Sequence, residues 1–369
     1  MSSRTAIERV FDALTRRLDG PLMVSIMVLA ALSLAVVYSA SGQSMDRALG
    51  QARNFAVALI VLWVAANIPP QQLMRLAIPI YLAGLGLLVG VALFGEIRNG
   101  ARRWLNLGFA TIQPSEVLKI GVPLLLAWYF HRKEAGLTIK DYVIGGIFLL
   151  IPTALIMRQP DLGTAVLIFS SGFFVIFLAG LSWKLLISAG VAGLAAMPFA
   201  WSVMHDYQRT RILTLLDPST DPLGAGYHII QSTIAIGSGG VLGKGWLNGS
   251  QSQLDFIPER STDFILAVFG EEFGLLGLLL LITLYMIVIG RGLMIAMSAP
   301  TTFSRLLAGA ITMTFFTYAF VNIGMVTGVL PVVGVPLPLV SYGGTAILSM
   351  FMGFGILMSI ATHKQLVST

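Results

Sequence analysis

The sequence predicts an all-α polytopic membrane protein: about ten transmembrane helices, both termini on the cytoplasmic side, and one long extracytoplasmic loop between spans 7 and 8. Three observations carry this. The hydrophobic fraction is 56% and the charged fraction 11%, with a mean hydropathy of +0.85; a soluble domain carries roughly 25% charged residues. The apolar residues fall in runs of about 17–25, the length at which a helix crosses the hydrocarbon core, without the roughly ten-residue alternation of barrel strands. One long polar stretch, 205–263, interrupts the succession of apolar runs.

Taken in order, the apolar runs lie near 21–40, 54–68, 76–94, 116–130, 142–157, 162–180, 183–204, 264–290, 303–328 and 343–361. The second, fourth and fifth are short and are expected to extend into their polar flanks. The segment before Gly20 mixes Arg4, Arg9, Arg16 and Arg17 with Glu8, Asp12 and Asp19. It reads as a short cytoplasmic helix, and the run after it is too long for a signal-peptide core. With the N-terminus inside, twelve Lys and Arg fall on the inner side and ten on the outer. Four of the ten (Arg209, Arg211, Lys244, Arg260) lie in the long stretch, where charge counts little. The bias therefore favours both termini inside, with 95–115, 158–161, 205–263 and 329–342 sharing the outer face. The chain reads as a single domain, 1–369, without a visible internal repeat.

Composition also narrows the chemistry. The absence of cysteine excludes disulfides and thiolate sites. The net charge of +6 comes from Lys and Arg scattered at span ends, with no basic run of the kind that binds nucleic acid. The four His residues (131, 205, 228, 363) show no metal-ligand spacing. The patch Gly237 to Gly245, with Lys244, lacks the Gly and Ser/Thr positions of a phosphate-binding loop. It is expected to supply flexible backbone near an acceptor or a lipid headgroup. Asn248-Gly249-Ser250 fits a glycosylation sequon, a match too short to weigh.

Several polar residues sit at membrane depth or at helix starts. Pro114 suits the first turn of the fourth span, and Glu116 its positive end. Glu116 and Lys119 are three apart and share a face. They read as an ion pair near a terminus, with Lys119 reaching for the interface, or as the lining of a polar cavity, where costly buried charge is usually found. Asp161 opens the sixth span as an expected N-cap. Asp263 has the same cap reading, in which the helix end would hold it ionised but make it a weaker base. Arg209 and Arg211 would face together on a strand and diverge on a helix; their guanidinium forks suit phosphate oxygens or anchoring at headgroups.

The motifs taken together are specific. They include Gln113-Pro114-Ser115-Glu116, Gln159-Pro160-Asp161-Leu162-Gly163-Thr164, His205-Asp206-Tyr207-Gln208-Arg209, Asp217-Pro218, and Asp221-Pro222-Leu223-Gly224-Ala225-Gly226-Tyr227. Further on come Gln231-Ser232, Gly237-Ser238-Gly239-Gly240, Pro258-Glu259-Arg260 with Thr262-Asp263-Phe264, Gly334-Val335-Pro336-Leu337-Pro338, and Ser341-Tyr342-Gly343-Gly344. In this order and spacing the chain resembles the SEDS (shape, elongation, division and sporulation) family of bacterial membrane proteins along its whole length. Its full-length similarity and short tails favour the elongation branch over the division branch.

The resemblance implies a peptidoglycan glycosyltransferase in the bacterial cytoplasmic membrane that polymerises lipid II on the outer face. It also implies partnership with a class B penicillin-binding protein, a transpeptidase, within the elongation machinery. Asp263 takes the position of the family's essential aspartate, Glu116 and Lys119 those of polar cavity residues. Asp161, Arg209, Arg211, Lys244 and Ser341 are the further expected substrate-binding positions. In the implied reaction Asp263 is general base, while Arg209, Arg211, Lys119 or a divalent cation offsets the departing pyrophosphate. Composition and spans leave open a flippase of lipid-linked precursors, which would need no base, and a scaffold that only activates its partner.

Overall fold

The computed structural model describes residues 15–98, 101–106, 111–134, 136–204, 206–221, 224–254, 256–257 and 259–363. Residues 1–14 of the expected N-terminal helix lie outside them. Ten long helices occupy the ten expected segments. They are α1 (Gly20–Ala40), α2 (Met45–Asn67), α3 (Pro70–Phe94), α4 (Pro114–Arg132), α5 (Ile139–Met157), α6 (Leu162–Leu178) and α7 (Trp183–Val203), then α11 (Ile265–Met297), α12 (Thr302–Val326) and α13 (Gly344–Thr362). Seven of them (α1, α2, α3, α5, α11, α12, α13) are long and apolar enough to cross a membrane, and α6 and most of α7 are shorter apolar helices. As expected, α2, α4 and α5 extend past their apolar runs into polar flanks.

Two segments expected as loops carry regular structure. The segment after α3 forms a small antiparallel sheet, ordered β1 (Glu96–Arg98), β2 (Ala101–Asn106), β3 (Thr111–Ile112). The polar stretch between α7 and α11 folds into α8 (Asp206–Leu216), α9 (Ala225–Ser238) and the single turn α10 (Ser250–Gln253). Polarity signalled solvent exposure there, not absence of helix. α9 keeps an apolar side that packs on α11.

α12 is the most enclosed of the candidate spans, packed against α11, α6 and α4, while α2 lies along α13. α7 is exposed along nearly its whole length.

α11 is broken at Gly274 (φ 63, ψ −163), and the glycine patch fills the break. An unbroken helix would pair the N–H of 275 and 276 with the carbonyls of 271 and 272. Here Lys244 N–H and Gly245 N–H donate to the Glu271 and Glu272 carbonyls, both at 3.0 Å. Leu275 N–H and Leu276 N–H donate instead to Gly240 O (2.9 Å) and Val241 O (3.1 Å). All four backbone groups are thus satisfied from outside the helix. The close approach needs glycine: a Cβ on Gly243 would stand 2.1 Å from Glu272 O. The patch is packed backbone, which corrects its expected role as a flexible segment facing a ligand.

Candidate functional site

Asp263 lies at the end of a tight turn. Glu259 adopts φ 50, and its carbonyl accepts from Thr262 N–H (3.0 Å) and Phe264 N–H (3.3 Å). α11 starts at Ile265 with Phe264 in the cap position and no side-chain cap, so Asp263 is not the N-cap expected. Its carboxylate has no hydrogen-bond or ion-pair partner among the described residues. Burial, followed by the nearby Glu259 charge, pushes it up to about 6. The helix end does not lower it, because the carboxylate does not reach the free N–H groups.

Opposite the carboxylate stands Gly334, at φ +73; a Cβ there would be 3.4 Å from Asp263 Oδ2. Gly163, in the first turn of α6, abuts the Val333 and Gly334 carbonyls. The start of α6, the 333–335 segment and Asp263 therefore form one contiguous wall. His228 of α9 stacks on Phe264 with ring centroids 5.1 Å apart, and burial pushes its pKa down.

The turn is held from four directions. Ser341 Oγ donates to Thr262 O (2.6 Å) and accepts from Leu337 N–H (2.8 Å). Tyr342 N–H donates to Ser261 O at 2.8 Å. Asn322 Nδ2 of α12 donates to Asp263 O (2.8 Å) and to Val335 O (2.7 Å). From α2, Arg47 donates to Ser261 Oγ (2.7 Å), and the fully buried Gln51 donates to Ser33 Oγ and to Ser341 O, each at 3.0 Å. Ser341 Oγ therefore sits under the Asp263 turn and supports it. Asn322 and Gln51 were not singled out from the sequence. Their signal is present in it: each is an uncharged polar side chain in or beside an apolar run, where unpaired polar groups are costly.

Glu116 and Lys119 form the expected pair, Nζ to Oε1 2.8 Å, with Lys119 only 6% exposed. Lys119 does not reach for the interface. It lies over the Tyr318 ring of α12, 5.2 Å from its centroid. Lys119 and Tyr318 line one small cavity and Glu116 another of about 440 Å³. The larger is mostly apolar (Val61, Ile80, Val117, Leu348, Met352) with Gln113, Glu116, Thr345 and Ser349 as polar points. Tyr318 and Asn322 are one helical turn apart on α12, about 6 Å of rise. The ion pair and the Asp263 turn thus meet on one face of the central helix.

The remaining expected residues divide. Asp161 caps α6, accepting Thr164 N–H at 3.1 Å, and pairs with Arg103 at 3.5 Å. Arg209 and Arg211 diverge, because α8 is a helix. Arg209 is spent on the C-terminus of α7, donating to the Trp201 (3.0 Å) and Ser202 (2.9 Å) carbonyls. Arg211 lines a cavity of about 370 Å³ with Gln208, Leu162 and Pro331, beside the wall that carries Asp161 and Gly334. Lys244 is not in the site: its Nζ is engaged by Glu271 and Ser250, both at 2.7 Å. Among the described residues no group of three or more His, Asp or Glu is placed to hold a metal ion. A divalent cation held by the protein alone does not fit these residues.

The profile of a family described as cell cycle protein, covering FtsW, RodA and SpoVE, matches residues 20–366. Among curated relatives, the peptidoglycan glycosyltransferase MrdB of Escherichia coli (strain K12) is 52% identical over 355 residues, 95% of each chain. Among solved structures, a chain of a peptidoglycan synthase complex that coordinates polymerization and crosslinking superposes with TM-score 0.81 and 32% identity, over 93% of this chain and 97% of that one. The Thermus thermophilus rod shape determining protein RodA matches with TM-score 0.71 and 27% identity, over 93% and 96%.

Proposed function

The chain belongs to the FtsW/RodA/SpoVE family of cell cycle proteins, and from that premise we propose the reaction it performs and the groups that perform it. It is a peptidoglycan glycosyltransferase, as its relatives' names indicate. It polymerises lipid II into glycan strands at the cytoplasmic membrane for cell elongation and rod shape. A penicillin-binding transpeptidase works beside it, as the similarity to a synthase that couples polymerization with crosslinking supports.

The observation that carries the mechanism is the Asp263 carboxylate, without a partner among the described residues and with its pKa pushed up to about 6. A base of that strength is ionised at neutral pH yet keeps real proton affinity, the combination that general-base catalysis needs. Asp263 takes the proton of an acceptor sugar hydroxyl as that oxygen attacks the anomeric carbon of the donor. The bond to the lipid pyrophosphate breaks on the opposite side, and an α linkage becomes β. Base catalysis of this kind contributes about 10²–10⁴-fold.

The leaving pyrophosphate needs positive charge. Arg211 is the best-placed candidate, because it lines a cavity beside the Asp263 wall. The mostly apolar cavity that Glu116 lines suits a polyprenyl chain.

In the expected arrangement of ten spans with both termini inside, the Asp263 turn lies on the extracytoplasmic face. The distribution of Lys and Arg supports that orientation. The test is polymerisation of lipid II by the purified full-length chain with its transpeptidase partner. Asp263→Ala protein, folded and partner-bound, makes no glycan; full activity of that variant overturns the reading.

A further inference from the structure

We propose that Asn322 is a positioning residue for the reaction: it fixes the distance between Asp263 and the Gly334–Val335 backbone that faces it. This rests on the reading of Asp263 as the base. Asn322 is fully buried in the central helix α12. Its single amide nitrogen spends both hydrogens on carbonyls of two different segments, Asp263 O at 2.8 Å and Val335 O at 2.7 Å. Those segments are remote in sequence and reach the site by separate routes, one from the polar stretch before α11, the other from the link between α12 and α13.

The geometry gives this bridge a chemical consequence. Val335 follows Gly334, whose Cα faces Asp263 Oδ2 closely enough that a Cβ would stand 3.4 Å away. Pulling the Asp263 and Val335 carbonyls onto one nitrogen therefore holds the carboxylate against a backbone wall. That wall keeps it partly desolvated and aims it. Ser341, the other side chain that ties the two segments, grips Thr262 O and Leu337 N–H, one residue before and two residues after the pair held by Asn322. It fixes the turn without touching the Asp263 peptide. The charged group acting on Asp263 is Glu259 from its own turn; from α9, His228 faces the adjoining Phe264 ring.

A graded series tests this: Asn (two hydrogens donated), Asn322→Ser (one at most) and Asn322→Ala (none). Each is read in the full-length chain with its transpeptidase partner, polymerising lipid II. The expected result is a stepwise fall in kcat with KM nearly unchanged, reaching about 10²-fold for alanine, the scale set by a displacement of about 1 Å in a catalytic group. The acid limb of the pH–rate profile moves to lower pH as water reaches the carboxylate. A change of thermal stability alone, with kcat, KM and the acid limb of wild type, overturns the proposal. Loss of folded protein in both variants overturns it in favour of a purely structural role. Activity in Asp263→Ala, run alongside, would instead sink the base itself, so the two failures are distinguishable.

Discussion

Oε1 of Glu271 lies 2.7 Å from Nζ of Lys244, and the same carboxylate also accepts from Ser250 Oγ (3.1 Å), Gln251 N–H (2.9 Å) and Ser252 N–H (3.3 Å). One fully buried acid on α11 thus gathers the end of the glycine patch and the start of α10. Removing a single partner of a buried pair leaves an uncompensated charge and costs about 3–5 kcal/mol. Lys244→Met is accordingly expected to lower thermal stability in detergent, toward the lower end of that range because Lys244 is partly exposed. Lys244→Met combined with Glu271→Gln recovers part of the loss. A Lys244→Met protein with wild-type stability and a raised KM for lipid II would restore the substrate role first expected of Lys244.

With Asp263 as the proposed base, activity is expected to follow its ionisation. With a folded pKa of about 6, kcat/KM is expected to reach half its plateau near pH 6 and to fall about tenfold per unit below pH 5, as protonation removes the base. A profile flat from pH 7 to pH 5 contradicts this.

The same shift carries a stability cost. An ordinary aspartate titrates near 3.9, so between about pH 4 and 6 the folded chain holds a proton that the unfolded chain has released. Folding is therefore favoured at the low end of this window, and stability falls as pH rises through it, by at most about 2–3 kcal/mol. Asp263→Asn is expected to raise the melting temperature at pH 7 while abolishing polymerisation; an unchanged or lower melting temperature contradicts the sign.

Gly334→Ala places a methyl group at φ +73 against the Asp263 carboxylate. The left-handed backbone alone costs about 1–2 kcal/mol. The variant is expected to lose activity well beyond what its lower stability explains, read as specific activity of the folded, partner-bound fraction.

The two arginines of α8 separate by function. Arg211→Ala is expected to raise KM for lipid II several-fold. Arg209→Ala, which frees the Trp201 and Ser202 carbonyls, lowers stability by about 1 kcal/mol with KM unchanged. Equal effects of both on KM would show the pair acting together.

The helices were legible in the sequence because apolar length is a property of the chain alone. The ten runs found their ten helices, and Asp161 is the cap it was expected to be. The polar stretch misled where polarity was equated with loop, since α8 and α9 are held by packing on their neighbours. Asp263 as a cap was a local inference, overturned by the Glu259 turn, which delays α11 by one residue. Lys244 and the glycine patch pointed to a ligand for want of their true partner, the break at Gly274, some 30 residues downstream. Asn322 was readable only as an isolated polar residue; its two carbonyl partners are visible in the fold alone.

The supports of the Asp263 turn come from both sides of it in the chain: Arg47 and Gln51 long before, Asn322 and Ser341 after. On a ribosome, the clasp between the glycine patch and α11 is complete once residue 276 has emerged. The Asp263 turn has to wait for α12 and the segment beyond it, roughly 65 residues later. In a nascent chain the turn around Asp263 is therefore unsupported at first, and its last clasps arrive nearly with the last helix.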